Sequence, residues 1–447
     1  MRRLLLLAAA GGVAALAFLV PEPDPAPEPL QGLILEAPGL SSPEDAAIWY
    51  CPWAQADAAR DSVFGVASLA AASASFTFPV AVPGEPADTA GLEVDARGAA
   101  VLQLSEIALR GDSPGLAEFV GGPAAVSVTV AGEEVLAADA CLASGPEVWH
   151  LPGGSTMPGE HLTLRLFNPF PEPAKVTVTG VSDIGVEALG ELESLSVGAR
   201  SWRDVPFESL LRQRQNLVIT VTAVDGVVVP AMVFGNEADE AWWPGVGEAT
   251  EWEFPVARVA DTAGYLVVHN PGPAAAEVSV DLFTPDGPII EAFTATVTPE
   301  APARFDLSAY PGDSLGARVV ASSPVAATVV AMGEEEVAVM PGAPAPASTW
   351  LLPGLRRLPL HAASIWLLNT SSEESVSATV TALGAGGSAG ETVVVPPGVP
   401  RQVDVTAGGA EGFLVEASSP LTVAWSLRGP GGLAFALASP VGDPVAE

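Results

Sequence analysis

Apolar and polar residues alternate along much of this chain, as in Lys175-Val176-Thr177-Val178-Thr179, Glu277-Val278-Ser279-Val280-Asp281 and Val376-Ser377-Ala378-Thr379-Val380. Successive side chains of an extended strand point to opposite faces, so a period of two predicts strands with one buried face. Such runs predict about seven strands in every hundred residues and no amphipathic helix longer than two turns.

Other apolar runs end on an asparagine: Leu164 to Asn168, Tyr265 to Asn270 and Ile365 to Asn369. Asn168 and Asn270 precede a proline, which pushes the preceding residue out of the helical region, and an Asn side chain can bond a nearby amide. The pattern predicts a strand followed by a turn. Gly316 to Pro324 and Gly412 to Pro420 share an Ala-Ser-Ser-Pro ending, and Gly115 and Pro123 keep the same spacing of eight. In the corresponding place Leu217 to Val224 is followed by Asp225-Gly226. These segments predict a strand, a tight turn and a second strand, a hairpin near the end of each unit.

The unit is marked by a tetrad. Trp49-Tyr50-Cys51-Pro52, Trp149-His150-Leu151-Pro152, Trp252-Glu253-Phe254-Pro255 and Trp350-Leu351-Leu352-Pro353 recur at steps of 100, 103 and 98 residues. Each Asn stands 18 or 19 residues after its Trp, a place taken by Ser68 in the first unit. Recurrence at a fixed period is the mark of an array. The expected fold is therefore all-β, a tandem row of antiparallel immunoglobulin-like β-sandwiches over 48–147, 148–250, 251–348 and 349–447. The Trp of each tetrad is expected to pack in a core or between units, with the proline at an edge or bulge. The stretches Gly235 to Thr250 and Gly333 to Ser348, rich in Gly, Pro and acids, read as connections between units.

Composition fits turns and short strands, with 45 Gly and 43 Pro, and the charge is one-sided: 53 acidic against 18 basic residues, a net of −35. A chain so negative repels phosphate backbones, which argues against nucleic-acid partners. Met1-Arg2-Arg3 followed by the uncharged Leu4 to Val20 reads as an export segment over 1–20, either a cleaved signal peptide or a transmembrane anchor through residues 4–20. Over 21–47, Pro21-Glu22-Pro23-Asp24-Pro25 begins an extended Pro/acid-rich spacer. An extracytoplasmic chain with two cysteines, Cys51 and Cys141, is expected to join them in a disulfide.

Candidate chemistry is sparse. Gly111-Asp112-Ser113-Pro114-Gly115 and Gly312-Asp313-Ser314-Leu315-Gly316 match a nucleophile-elbow pattern, but both lead into predicted strands and occupy equivalent places in their units, as structural turns would. His150, His161, His269 and His361 show no metal-ligand spacing, and the acids at Glu237 to Glu240 and Glu334 to Glu336 lack the alternation of a dedicated calcium loop. They read as solvated turns. Trp242-Trp243 could stack on a sugar or plug an interface between units, and the plug is the favoured reading. No catalytic, cofactor or metal residue is expected.

The N-terminal segment, the Trp49-x-Cys51-Pro52 opening, the Trp-x-Leu-Pro-Gly of 149–153 and 350–354 and the strand-Asn-Pro turns together resemble an uncharacterised family of exported actinobacterial proteins, a domain of unknown function. The resemblance spans roughly residues 45 to 440 and implies an envelope-associated place outside the cytoplasm, secreted or held by a single-pass anchor. The expected function is a non-enzymatic scaffold or binding protein engaging envelope proteins or glycans. An envelope-acting hydrolase and a carbohydrate-binding module are the alternatives.

Overall fold

The computed structural model describes residues 47–80, 85–108, 111–310, 312–355, 361–371, 373–384, 390–405 and 410–441. The expected export segment and, except for Ala47, the spacer lie outside the described residues. Among the described residues, no helix is long and apolar enough to cross a membrane.

The third repeat shows the plan. Its opening strand, Ala249–Val259, carries the tetrad and is followed by Ala263–His269, Ala276–Thr284, Gly287–Val297, Ala303–Asp306, the 19-residue Ser314–Met332 and the closing strand Val337–Pro341. One sheet runs Gly287–Val297, Ala276–Thr284, the first part of Ser314–Met332, and the opening strand. The other runs Ala303–Asp306, Ala263–His269, the second part of the same long strand, and the closing strand. All these pairings are antiparallel. Alternate residues of both sheets, among them Val278, Val319, Leu266 and Val329, meet in one core, the burial of one face that period-two sequences produce. The other repeats keep this strand order, the first around Ala72–Phe78 and Arg60–Ser68, the second around Ala174–Ser182 and His161–Asn168, the fourth around Val376–Leu383 and Ala362–Leu368.

The expected late hairpin is wrong. In repeats three and four the chain passes straight through Ala-Ser-Ser-Pro as one strand, Ser314–Met332 and Gly412–Gly429, whose two parts pair with different sheets. Pro324 and Pro420 stand where the strand leaves one ladder for the other, where a missing N–H takes nothing from either. In repeats one and two the same crossing is broken, giving Gly115–Gly121 with Ala124–Gly132 and Leu217–Asp225 with Val229–Gly235. The hairpin lies one step later, from the second part of the long strand into the closing strand.

Those closing strands, Leu136–Ala140, Glu240–Pro244, Val337–Pro341 and Gly432–Leu437, correct two further readings. Gly235 to Thr250 and Gly333 to Ser348 are not mere connections, since each contains a closing strand. Nor do the units stand in a row. Closing strands touch in the cycle one–two, two–three, three–four and four–one, so the four repeats form a closed ring with these strands at its axis. Trp242 joins the core of repeat one, Val337 and Val339 that of two, Leu433 and Phe435 that of three, and Leu136 and Ala138 that of four. Neighbours in sequence face the other way: Ala241 and Trp243 lie in the core of repeat two, Ala338 and Met340 in that of three. One strand thus serves two cores, and its sequence is apolar at nearly every position, as strands buried on both faces are. A head-to-tail interface repeated four times has closed on itself, leaving no open end to extend.

At the seam between repeats four and one, Ser127 Oγ donates to the Pro353 carbonyl at 2.7 Å. A Cβ at Gly65 would lie 2.1 Å from Gly354 Cα, so only glycine admits this approach. Cys51 of the first opening strand is bonded to Cys141, which directly follows the first closing strand.

Candidate functional site

Two regions concentrate polar groups: the joints between repeats and the end of the axis. At each joint the tetrad divides its labour by the alternation of a strand. Its Trp lies in the core of its own repeat, with Trp49, Trp149, Trp252 and Trp350 between 1% and 5% exposed. Trp252 Nε1 donates to the Val325 carbonyl at 2.8 Å, and Trp350 Nε1 to those of Ala347 and Leu421 at 3.0 Å. The next residue faces the following repeat. Tyr50 packs with Phe167 and Val229 of repeat two; the ring of His150 lies 5.4 Å from that of His269 in repeat three; Glu253 accepts hydrogen bonds from Thr370 and Thr422 of repeat four; and Leu351 enters the core of repeat one. Two of the tetrad prolines, Pro152 and Pro255, adjoin irregular pairing, with register shifts between Pro152 and Gly154 and between Phe254 and Arg258.

The second strand of each repeat brings its own marker beside the joint. Asn168, Asn270 and Asn369 are buried and make equivalent bonds. Each amide nitrogen donates to two carbonyls, Glu172 and Gly198, Ala274 and Val297, or Glu374 and Val395, while each amide oxygen accepts from the backbone N–H two residues on. Ser68 Oγ donates to Ala70 and Pro123 carbonyls in repeat one. These residues fix the turn that positions Phe167, His269 and Leu368.

Asp239 sits at the axis. Its Oδ1 accepts from Leu136 N at 3.0 Å and Glu240 N at 2.8 Å, and its Oδ2 from Val337 N at 2.8 Å and Leu433 N at 3.1 Å. One carboxyl therefore satisfies an amide in the closing hairpin of every repeat. It is fully buried, and burial pushes its pKa up to about 8 against the opposite pull of those amides. Gly432 makes room for it, since a Cβ there would fall 2.0 Å from Asp239 Oδ2. Above it the closing hairpins open into a cavity of about 690 Å³ lined by Glu133, Glu134, Glu237, Glu334 and Glu335. Arg428 is held there by Glu336 through two bonds of 2.6 and 2.7 Å. The two acid clusters of the sequence are thus brought together, joined by a third pair from repeat one. Among the described residues, no group of three or more His, Cys, Asp or Glu is arranged to hold a metal.

A second cavity, of about 420 Å³, lies beside the joint of repeats two and three and is lined by His150, Thr220, Glu248 and His269. His150 and His269 are 119 positions apart in sequence, with no local spacing to announce their meeting. The signal was indirect: one follows a tetrad Trp, the other precedes a marker Asn.

Trp242 and Trp243 are both fully buried, Trp242 with its ring 5.9 Å from that of Trp53 in repeat one. Neither presents a face on which a sugar could stack, so that reading of the pair is set aside. Ser113 is also fully buried, and among the described residues its hydroxyl reaches only the Gly111 carbonyl, at 3.5 Å. Ser314 is half-buried at the start of its long strand.

A family profile matches residues 107–413, more than half of the chain. The chain belongs to DUF5719, a family of unknown function. The DUF5719 match runs from late in repeat one to the start of the long strand of repeat four, and so takes in Asp239, the histidine pair and Glu253. No curated protein matches. Among solved structures, Thermotoga maritima 1070 is 16% identical, with 21% of this chain and 93% of that one covered at a TM-score of 0.19. Streptomyces avermitilis α-L-rhamnosidase is 9% identical over 86% of this chain and 55% of its own, at 0.16. Bacteroides uniformis β-glucuronidase is 9% identical over 50% and 26%, at 0.11. Likenesses this slight carry no argument about the chain.

Proposed function

We propose that this protein is a non-enzymatic scaffold or binding protein of the cell envelope, exported from the cytoplasm and engaging envelope proteins or glycans. The observation that carries the reading is the way the ring spends its polar chemistry. Asp239, Glu253 and the marker asparagines each bond a neighbouring strand or repeat, which is holding work. A serine nucleophile needs an exposed oxygen, a base and an oxyanion hole, and Ser113 has its hydroxyl in the interior. The Cys51–Cys141 bond supports an oxidising location. A ring whose joints are all internal leaves its outer rims as the surfaces for partners, and exposed apolar residues such as Ile290 and Val394 stand on strands there.

The test is photo-crosslinking in growing cells from positions 290 and 394 of the full chain. Covalent adducts with envelope proteins or glycans are expected. Adducts confined to cytosolic proteins would overturn the location. Loss of the chain's cellular phenotype in a folded Ser113→Ala, Ser314→Ala variant would overturn the non-enzymatic reading.

A further inference from the structure

The four joints are built from one backbone geometry, yet among the described residues only that between repeats two and three brings two histidine rings together, 5.4 Å apart and tilted by 56°. His150 is 1% and His269 5% exposed. The hydrogen bonds of His150 accommodate a neutral ring: with the proton on Nε2, 3.3 Å from the Glu248 carboxylate, Nδ1 accepts from Thr220 Oγ at 3.0 Å. Among the described residues, the buried Nδ1 of His269 has no hydrogen-bond partner, and Glu248 is the one charged residue lining the adjoining cavity. The other groups lining the cavity beside the pair are uncharged, among them Thr220 from Leu217–Asp225 of repeat two, Thr179 from its third strand, and Pro271 after the marker asparagine.

A proton placed on His150 has Glu248 beside it, but the Thr220 hydroxyl must then turn, since Nδ1 no longer accepts. A proton placed on His269 has no counter-charge and faces the other imidazole 5.4 Å away. Burial lowers the pKa of both, that of His269 to about 3 with the repulsion of His150 added. Hydration relieves both conditions at once, and the cavity already brings solvent to one side of the pair.

We propose that this joint is a proton-operated latch, closed while both imidazoles are neutral and opened between His150 and His269 when the surroundings acidify. Joint one–two, with Tyr50 and Phe167 in the same places, has no such response, which supplies the control within the same molecule. It also supplies the variant, because His150→Tyr with His269→Phe gives joint two–three the residues that joint one–two already uses.

Hydrogen exchange of the full, disulfide-intact chain tests the latch between pH 7.5 and 4.5, after correction for the intrinsic pH dependence of exchange. Opening coupled to one proton raises local exchange about tenfold per pH unit below about 6.5. That rise is expected over 148–154 and 263–269, absent over 47–51 of joint one–two, and abolished by the double substitution. The same rise in the double variant, or an equal rise over 47–51, would overturn the proposal. If the double variant fails to fold, imidazole NMR of the unmodified chain decides: uptake of a proton by His150 or His269 without faster exchange of the two strands overturns it as well.

Discussion

Joint two–three and joint three–four differ in one pair of chemistries laid on the same backbone positions. His150 and Glu253 each follow a tetrad tryptophan, each face the next repeat, and are 1% and 2% exposed. Burial disfavours the charged form in both cases, which lowers the imidazole pKa and raises that of the carboxyl. The consequences for stability run in opposite directions. A base lowered in the folded state stabilises fully above its unfolded value near 6.5, and that contribution is lost as the pH falls toward the folded value, about 3 for His269. An acid raised in the folded state stabilises fully below its unfolded value near 4.5 and loses that as the pH rises through the folded one. The repeated geometry thus fixes where a residue faces its neighbour, while the residue placed there decides whether falling or rising pH weakens the joint.

The largest expected effect comes from what both joints share. Asp239→Ala leaves four amides in the closing hairpins without their acceptor, and each buried donor left unsatisfied costs about 1 to 3 kcal/mol. A loss of about 4 kcal/mol or more in denaturant unfolding is expected, with hydrogen exchange rising at both joints together. A rise confined to repeat two would show that the carboxyl braces its own hairpin and does not tie the ring.

Glu253→Gln is the intermediate case and acts on one side of the comparison alone. Glutamine keeps an oxygen for one of the hydroxyls of Thr370 and Thr422 and cannot ionise, so stability near neutral pH changes by only about 1 kcal/mol. The decisive measurement is the slope of unfolding free energy against pH above the unfolded carboxyl value near 4.5, which becomes flatter in the variant because the group that ionises there is gone. An unchanged slope would mean that Asp239, whose carboxyl is raised in the same direction, carries all of it.

Much of this architecture was legible in the sequence, and the parts that were not share a cause. Period-two alternation around Val176, Val278 and Ala378 disclosed strands, and the spacing of Trp49, Trp149, Trp252 and Trp350 disclosed the array, because both are local or periodic. Cys51 and Cys141 could be paired because there were no others. Ring closure could not be read this way. It rests on Asp239 reaching amides at 136, 337 and 433, and on Gly65 lying against Gly354, where no local pattern marks the partner. The Ala-Ser-Ser-Pro segments misled because a proline after two serines has the chemistry of a turn and equally suits a strand changing sheets. The closing strands were missed for a related reason: five apolar residues behind a run of acids resemble a connection until both faces are seen to be covered. His269 was passed over because its partner is 119 positions away, although its place before Asn270 matched that of Phe167 before Asn168.

The smallest effect is expected at the seam that closes the ring. Arg97 and Glu416 join repeats one and four through bonds of 2.7 and 3.3 Å, but their side chains are 52% and 45% exposed. Water and salt screen such a pair, and exposed pairs contribute about 0 to 1 kcal/mol. The seam is held instead by the Gly65–Gly354 approach, the bond from Ser127 to the Pro353 carbonyl and the entry of Leu351 into the core of repeat one. Arg97→Ala should therefore lower unfolding free energy by less than about 1 kcal/mol, with the difference shrinking further in high salt. A loss as large as that at Glu253 would mean that the fourth joint, unlike the two compared above, is held from its surface and not from its buried position after the tryptophan.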